Sequence, residues 1–191
     1  VLLALIGCSS APDKPIPTPL KRITEIVEID YVESTSLGGG DQTGLSPAVD
    51  GDSIAAASAG GDVYLFDAKL DELWNTDIDR TILGSVALNS TAVYVATSDA
   101  TLVALSRKKG EVLFEVTLPG NSTVPAVATD TMVFVKTQIG QLIALNAVSG
   151  ETVWFEEAKE SNVGIRGGAP ISLSDDVLFV LWESGRIMAY Q

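Results

Sequence analysis

A repeating pattern of short apolar segments runs through most of the chain and constrains its fold more than any other feature. The repeat units open on small or apolar residues at Ser46, Ser85, Val124 and Ala169. Successive openings are 39, 39 and 45 residues apart. Aromatic residues near the ends of the first three units keep a regular spacing, at Trp74, Phe114 and Trp154. Repeats of about 40 residues built from short strands are typical of β-propellers, in which each unit forms one four-stranded blade.

Each unit divides into four short apolar strands separated by turn residues. In the third unit we predict strands near 124–129, 131–137, 141–146 and 151–157. Strings such as Val93–Ala96 do not alternate with polar residues, as expected of strands covered on both faces by neighbouring blades. Helices are disfavoured because the runs are short, β-branched and interrupted by Gly. The predicted fold class is therefore an all-β propeller. We expect the aromatic residue that ends each unit to pack between blades, the alternative being a ligand platform.

The predicted blades span 46–78, 85–118 and 124–158, and a partial blade spans 169–191. The alternating segment 23–34 is predicted to be a closing strand that pairs with the last blade and removes an open edge. Its Tyr31 would then take the position of Trp74. Because three blades and a part do not form an obvious ring, we expect truncation of a larger ring. The alternative is a compact four-bladed ring completed by 23–34.

Charge and composition exclude several classes of function. The chain has 12 Lys+Arg, 25 Asp+Glu and no His, giving a net charge of −13, which disfavours nucleic-acid binding. Without His there is no Ser-His-Asp triad and no imidazole zinc site. A single Cys excludes an intrachain disulfide and a cysteine metal cluster. We predict no cofactor and no metal, and we interpret the basic cluster Arg107–Lys109 as a solvated turn, the alternative being a binding patch.

The N-terminal residues have the pattern of a sorting signal. Residues 1–7 form an apolar run too short to span a bilayer, and they end directly before Cys8. The string Leu5-Ile6-Gly7-Cys8 resembles the bacterial lipobox, which implies that Cys8 is lipidated and becomes the mature N-terminus. Residues 8–22 are then a Pro-rich tether. The alternative is an apolar strand that contains a Cys. Since no initiator Met or basic region precedes the run, we expect the chain to be incomplete at its N-terminus.

The unit Leu145–Trp154 resembles the quinoprotein-type repeat, A-L-[DN]-x-x-[ST]-G-x-x-x-W. Weaker copies end at Trp74 and Phe114. Such repeats occur in quinone-dependent dehydrogenases and in non-enzymatic scaffolds.

The order of lipobox, Pro-rich tether, closing strand and blades resembles the BamB family of outer-membrane β-barrel assembly lipoproteins. The resemblance implies the N-terminal half of an eight-bladed ring. The stretch 161–170, Ser-Asn-Val-Gly-Ile-Arg-Gly-Gly-Ala-Pro, is similar to the family's S-L-S-L-R-G-x-x-A-P loop between the third and fourth blades. By this resemblance Val163, Ile165 and Arg166 dock onto BamA-type periplasmic domains of the barrel-inserting subunit, with Gly167 beside them.

The loop also has an interpretation that does not depend on the family. The repeat lengthens from 39 to 45 residues here, so the extra residues must bulge from the propeller face. An exposed Arg166 flanked by aliphatic side chains is typical of an interface, because Arg is enriched in binding hot spots and binds carboxylates bidentately. The Gly167-Gly168 pair permits close backbone approach. The alternative is an ordinary turn with a solvated Arg.

The predicted function is a non-enzymatic, lipid-anchored scaffold on the periplasmic face of the outer membrane. Its partners would be the barrel-inserting subunit and, by strand addition at blade edges, unfolded outer-membrane protein strands. It would contact the membrane through the lipid anchor only. Two alternatives stay open: a quinone-cofactor dehydrogenase, with Asp99 or Asp130 as candidate carboxylates, and a ligand-sensing propeller.

Overall fold

The computed structural model describes residues 18–19, 27, 30–38, 45–158, 169–182 and 184–191. The chain divides into two units, Val1–Val32 and Glu33–Gln191, and every strand named below belongs to the second.

Within the described ranges, fifteen strands form four antiparallel sheets that follow one another along the chain. Blade 1 contains β1 (Ala48–Asp50), β2 (Ser53–Ala57), β3 (Asp62–Asp67) and β4 (Glu72–Asp77). Blade 2 contains β5 (Ala87–Leu88), β6 (Ala92–Ala96), β7 (Thr101–Ser106) and β8 (Val112–Thr117). Blade 3 contains β9 (Val127–Ala128), β10 (Met132–Lys136), β11 (Gln141–Asn146) and β12 (Thr152–Glu157). Blade 4 contains β13 (Ser172–Ser174), β14 (Val177–Leu181) and β15 (Ile187–Tyr190).

Consecutive blades pack face to face through apolar side chains, which confirms the predicted all-β propeller. One buried cluster joins Leu65 of blade 1 to Val93 of blade 2, and another joins Tyr94 of blade 2 to Val133 of blade 3. Blades 3 and 4 share a third cluster, which contains Leu142. The central strands of blades 2 and 3 are apolar without alternation because both of their faces are covered by neighbouring sheets.

The antiparallel order gives the propeller two distinct faces. We call the side with the β2–β3, β6–β7 and β10–β11 turns and the blade-to-blade connections the connection face. The opposite side, with the remaining turns, is the turn face. On the connection face, the backbone N–H of Ile78, Leu118 and Ala158 donates to the carbonyl of Gly61, Ala100 and Gly140, respectively. Each connection therefore starts with the same hydrogen bond, displaced by one repeat.

The repeated aromatic residues pack between blades, as predicted, and Trp74 and Phe114 each pack on a glycine of the next blade. A Cβ on Gly110 would lie 2.7 Å from a ring carbon of Trp74, and one on Gly150 would lie 2.6 Å from a ring carbon of Phe114. Both glycines have left-handed φ values, 72° and 73°. The indole N–H of Trp74 also donates to the carbonyl of Arg107 at 2.8 Å. The Gly and the aromatic residue of the repeat motif are thus two halves of one contact between neighbouring blades.

Of the segment predicted to close the ring, the structure describes only residues 27 and 30–34, so its pairing with the last blade of a larger ring stays a prediction. Residues 30–34 contain no strand, and Tyr31 is 75% exposed rather than packed like Trp74. A strand persists where a neighbour accepts its backbone hydrogen bonds, and no described strand pairs with this segment. Most of 23–29 lies outside the described residues.

Candidate functional site

The candidate partner-binding loop belongs to the segment of sequence between blades 3 and 4, whose described ends are Ala158 and residues 169–171. Its predicted contact residues Val163, Ile165, Arg166 and Gly167 lie outside the described residues, and so does the predicted lipidation residue Cys8. The structure describes the two ends of this connection. Ala158 donates its N–H to the Gly140 carbonyl at 2.8 Å, and the buried Ile171 precedes β13.

The strand bounds show that this connection is longer than the other two. Residues 78–86 and 118–126 contain nine residues each, whereas 158–171 contains fourteen. Each short connection buries apolar side chains: Ile82 in the first, and Leu118 and Val124 in the second. The extra length predicted from the repeat therefore lies between Ala158 and Ile171.

A buried lysine ties blade 3 to blade 4 near the ends of this connection. Lys136, at the end of β10, is 3% exposed, and its Nζ donates to the Leu181 carbonyl at 2.7 Å. The same ammonium lies 5.5 Å from the ring centroid of the buried Trp182, within cation–π range. Lys136 is not among the site residues predicted from the sequence. Comparing the repeats could have indicated it, because the preceding unit has Ala96, a small apolar residue, where this unit has Lys136.

A charged cluster fills the rim of the groove between blades 1 and 2. The Arg80 guanidinium, in the first connection, lies 2.8 Å from Glu115 Oε2 and 3.8 Å from Asp99 Oδ2. A hydrogen bond from the Thr97 hydroxyl lowers the pKa of Asp99, and Arg80 adds to the effect. Asp99, the candidate carboxylate of the dehydrogenase alternative, is engaged in an exposed structural cluster.

Polar contacts on the turn face also link neighbouring blades. Asp130, the second candidate carboxylate, accepts hydrogen bonds from the Ser90 hydroxyl and backbone N–H, and these lower its pKa. Arg107 pairs with the Asp50 side chain and donates to the Asn89 carbonyl at 2.7 Å. The prediction of a solvated turn at 107–109 is thus wrong for Arg107. Its guanidinium donates to the Asp50 carboxylate and to the backbone carbonyls of Asp50 and Asn89. The same prediction is correct for Lys109, whose side chain is 63% exposed.

A buried polar network crosses from blade 2 to blade 3. The Tyr94 hydroxyl donates to the Ala147 carbonyl at 2.9 Å and accepts from Asn89 Nδ2 at 3.1 Å. Asn89 Nδ2 also donates to the Thr129 carbonyl at 2.7 Å. Burial raises the pKa of Tyr94, so the phenol remains a neutral donor. Sequence reasoning treated Tyr94 only as part of an apolar strand.

An open cleft of about 450 Å³ lies between blades 3 and 4. Phe134 and Trp154 line it from blade 3, and Tyr190 lines it from blade 4. The Trp154 ring stacks on Tyr190 with centroids 5.9 Å apart and lies 6.1 Å from Phe134. Trp154 therefore packs between blades, as predicted, and also borders the cleft.

Among the described residues, no group of three His, Cys, Asp or Glu side chains is arranged to hold a metal ion. That part of the chain also contains no helix that could serve as a membrane span.

Comparisons with known proteins agree with this architecture. The sequence profile of the family described as "Outer membrane protein assembly factor BamB" matches residues 59–191, more than half of the chain. A relative of that name from Burkholderia pseudomallei (strain K96243) is 28% identical over 186 residues, covering 92% of this chain and 46% of the relative. One from Bordetella pertussis is 26% identical, covering 98% of this chain and 50% of the relative. The chain thus spans about half the length of these curated relatives.

A solved structure extends the similarity to three dimensions. The crystal structure of BamB from Moraxella catarrhalis aligns with a TM-score of 0.67 at 28% identity. The alignment covers 76% of this chain and 44% of that one.

Proposed function

Since the chain belongs to the BamB family of outer-membrane protein assembly factors, we propose that it is a non-enzymatic scaffold for the assembly of outer-membrane β-barrel proteins. The observation that carries the proposal is the family match over residues 59–191, which includes nearly all of the four blades. The polar clusters support a scaffold rather than an enzyme, because Asp99 and Asp130 are engaged in contacts that hold turns and blades together.

We further propose that the long third connection is the docking element for a periplasmic domain of the barrel-inserting subunit. The connection is five residues longer than the other two, and Lys136 and Trp182 hold together the blades that it joins. Arg166, flanked by Val163 and Ile165, supplies the combination of guanidinium and aliphatic surface that protein interfaces favour.

The Arg166→Ala variant tests the docking proposal. We expect its affinity for the purified periplasmic domains of the barrel-inserting subunit to fall about thirtyfold, because truncating an Arg paired at a desolvated interface typically costs about 2 kcal/mol. Arg166→Lys is expected to recover only part of that loss, since Lys lacks the planar fork. Titration calorimetry with the full-length protein measures both. Lys108→Ala, which removes an exposed cation on the turn face, is the control and should bind like wild type. Equal affinity of wild type and Arg166→Ala would contradict the docking assignment.

A lipid anchor at Cys8 would hold the scaffold at the periplasmic face of the outer membrane. The support is the lipobox-like string that ends at Cys8 and the Pro-rich tether after it. We expect Cys8→Ala to move the protein from the membrane fraction to the soluble fraction, because acyl chains contribute about 0.8 kcal/mol per buried CH₂. Ser9→Ala is the control and should remain in the membrane fraction. A wild-type protein that takes up no label from radioactive palmitate would refute the anchor.

The outer strands of the complete blades offer a second kind of contact. Among the described strands, β4, β8 and β12 each pair on one side only, which leaves their outer edges available for a further strand. Strand addition at such an edge would let the scaffold hold an unfolded outer-membrane protein strand.

A further inference from the structure

Two neighbouring grooves of the propeller can be compared position by position. The Ser98 N–H donates to the Thr81 carbonyl, and one repeat later the Gln138 N–H donates to the Asn121 carbonyl. In the strand pairs, Val103 lies opposite Glu115, and the matching pair of the next blade is Ile143 opposite Phe155. Positions 80, 99 and 115 of the first groove therefore correspond to 120, 139 and 155 of the second.

In the groove between blades 1 and 2 these three positions carry charges. Arg80 lies 2.8 Å from Glu115 and 3.8 Å from Asp99. The distances show that positions 99 and 115 both lie within reach of the side chain at position 80. The charged groups give this rim a polar surface, with side chains 32% (Arg80), 55% (Asp99) and 43% (Glu115) exposed.

In the groove between blades 2 and 3 the same three positions carry no charge. They are Gly120, Ile139 and Phe155. A Cβ on Gly120 would lie 3.1 Å from Ile139 Cγ2, so the Ile139 side chain rests on the glycine backbone. Ile139 is 58% exposed and Phe155 is 60% exposed. Val153, the unpaired residue of the β-bulge in β12, is 54% exposed and lies two residues before Phe155. We call Ile139, Val153 and Phe155 the rim patch.

The rim patch exposes apolar surface where the preceding repeat has an ion cluster. Single exposed apolar residues are ordinary, but a contiguous group indicates an interaction surface, and aromatic residues are enriched in binding hot spots. The patch is also bordered by acid: Glu157 lies on the same side of β12, two residues after Phe155, and its carboxylate accepts from Gln141 Nε2 at 2.7 Å. A complementary surface would place an aliphatic side chain beside Lys or Arg.

The position of the patch relates it to the third connection. Ala158, the residue after β12, is hydrogen-bonded to Gly140, the neighbour of Ile139. The chain enters the long connection directly after Ala158. A domain that binds this connection at its blade 3 end is thus adjacent to the rim patch.

We propose that the rim patch is a second docking surface for the periplasmic domain that binds the third connection, taking an aliphatic side chain flanked by a basic residue. This inference rests on the proposed function for the identity of the partner. It adds contact residues that belong to a different groove from the loop and are not part of its motif.

The test replaces patch residues by those of the neighbouring groove. Phe155→Glu and Ile139→Asp each introduce the residue found at the matching position of the preceding repeat. With the purified periplasmic domains of the barrel-inserting subunit, we expect each variant of the full-length protein to bind about tenfold more weakly. Leu113→Asp is the matched control, because Leu113 occupies the position of Val153 in the first groove and is similarly exposed, at 52%. It should bind within about twofold of wild type.

The outcomes separate this inference from the proposed function. If Arg166→Ala weakens binding and both patch variants bind like wild type, the rim patch is not a docking surface, although the scaffold function stands. If wild type itself fails to bind the domains, the proposed function and the inference fall together. Thermal melts accompany each titration. A fall in Tm of more than about 3 °C in both patch variants would make the patch a packing element and overturn the proposal.

Discussion

Replacing Gly150 with Ala is expected to lower the free energy of unfolding by about 3 kcal/mol. The added Cβ would lie 2.6–2.7 Å from ring carbons of Phe114 and 2.7 Å from a methyl carbon of Val116, so blades 2 and 3 would have to separate locally. Forced repacking of this kind typically costs about 1–3 kcal/mol. The φ of 73° adds about 1–2 kcal/mol, because a Cβ crowds the following carbonyl in the left-handed region.

The matched control for this prediction is Gly51→Ala. Gly51 has a left-handed φ of 58°, but a Cβ there would have no neighbour within 4 Å. The free energy of unfolding of Gly51→Ala should therefore fall by the backbone contribution alone, about 1 kcal/mol. Urea unfolding of the full-length protein compares the two variants. Equal losses at Gly51 and Gly150 would show that the contact between ring and glycine does not stabilise the blade interface.

Truncating Trp154 to Ala is expected to cost about 3 kcal/mol. The ring stacks on Tyr190 of blade 4 and contacts Phe134 of its own blade, so its loss opens the interface between the two sheets. Removal of a large aromatic side chain from a core typically costs about 3–5 kcal/mol, and the lower end applies because Trp154 is only half-buried.

Val153→Ala is the control for Trp154, since it shortens an exposed neighbour on the same strand. It should change the free energy of unfolding by less than about 0.5 kcal/mol. Thermal melts and urea titrations measure both variants. If Trp154→Ala unfolds like wild type, the ring does not stabilise the interface between blades 3 and 4. Its role would then be to line the cleft.

The fold is predictable because its signals are local in sequence. Buried strands without alternation, short runs of β-branched residues and Gly-containing turns recur in each unit, and each signal reports on one blade. The strands of the third blade fall within the predicted segments. β9 is shorter than predicted, at Val127–Ala128, and Pro125 before it has no N–H to donate.

The candidate site is predictable only in part. The lengthened repeat places the extra residues between Ala158 and Ile171, as the strand bounds show. The residues that hold the ends of that connection do not stand out in the sequence. Lys136 ends an apolar strand, and its contact with Leu181 depends on how two sheets pack. The pairing of Arg107 is equally hidden, because its partner Asp50 belongs to another blade.

The repeat, the strand content and the glycine and aromatic positions follow from the amino-acid sequence alone, because backbone conformation and burial leave a periodic pattern within each unit. Which side chains meet between units depends on how the sheets pack. Trp74 lies on Gly110, Arg80 reaches Glu115, and Ile139 rests on Gly120 because adjacent sheets bring together residues of different repeats. The sequence shows which residues are charged at positions 80, 99 and 115 and which are uncharged at positions 120, 139 and 155. Only the packing of the sheets places each set at the rim of one groove and leaves Phe155 and Ile139 exposed.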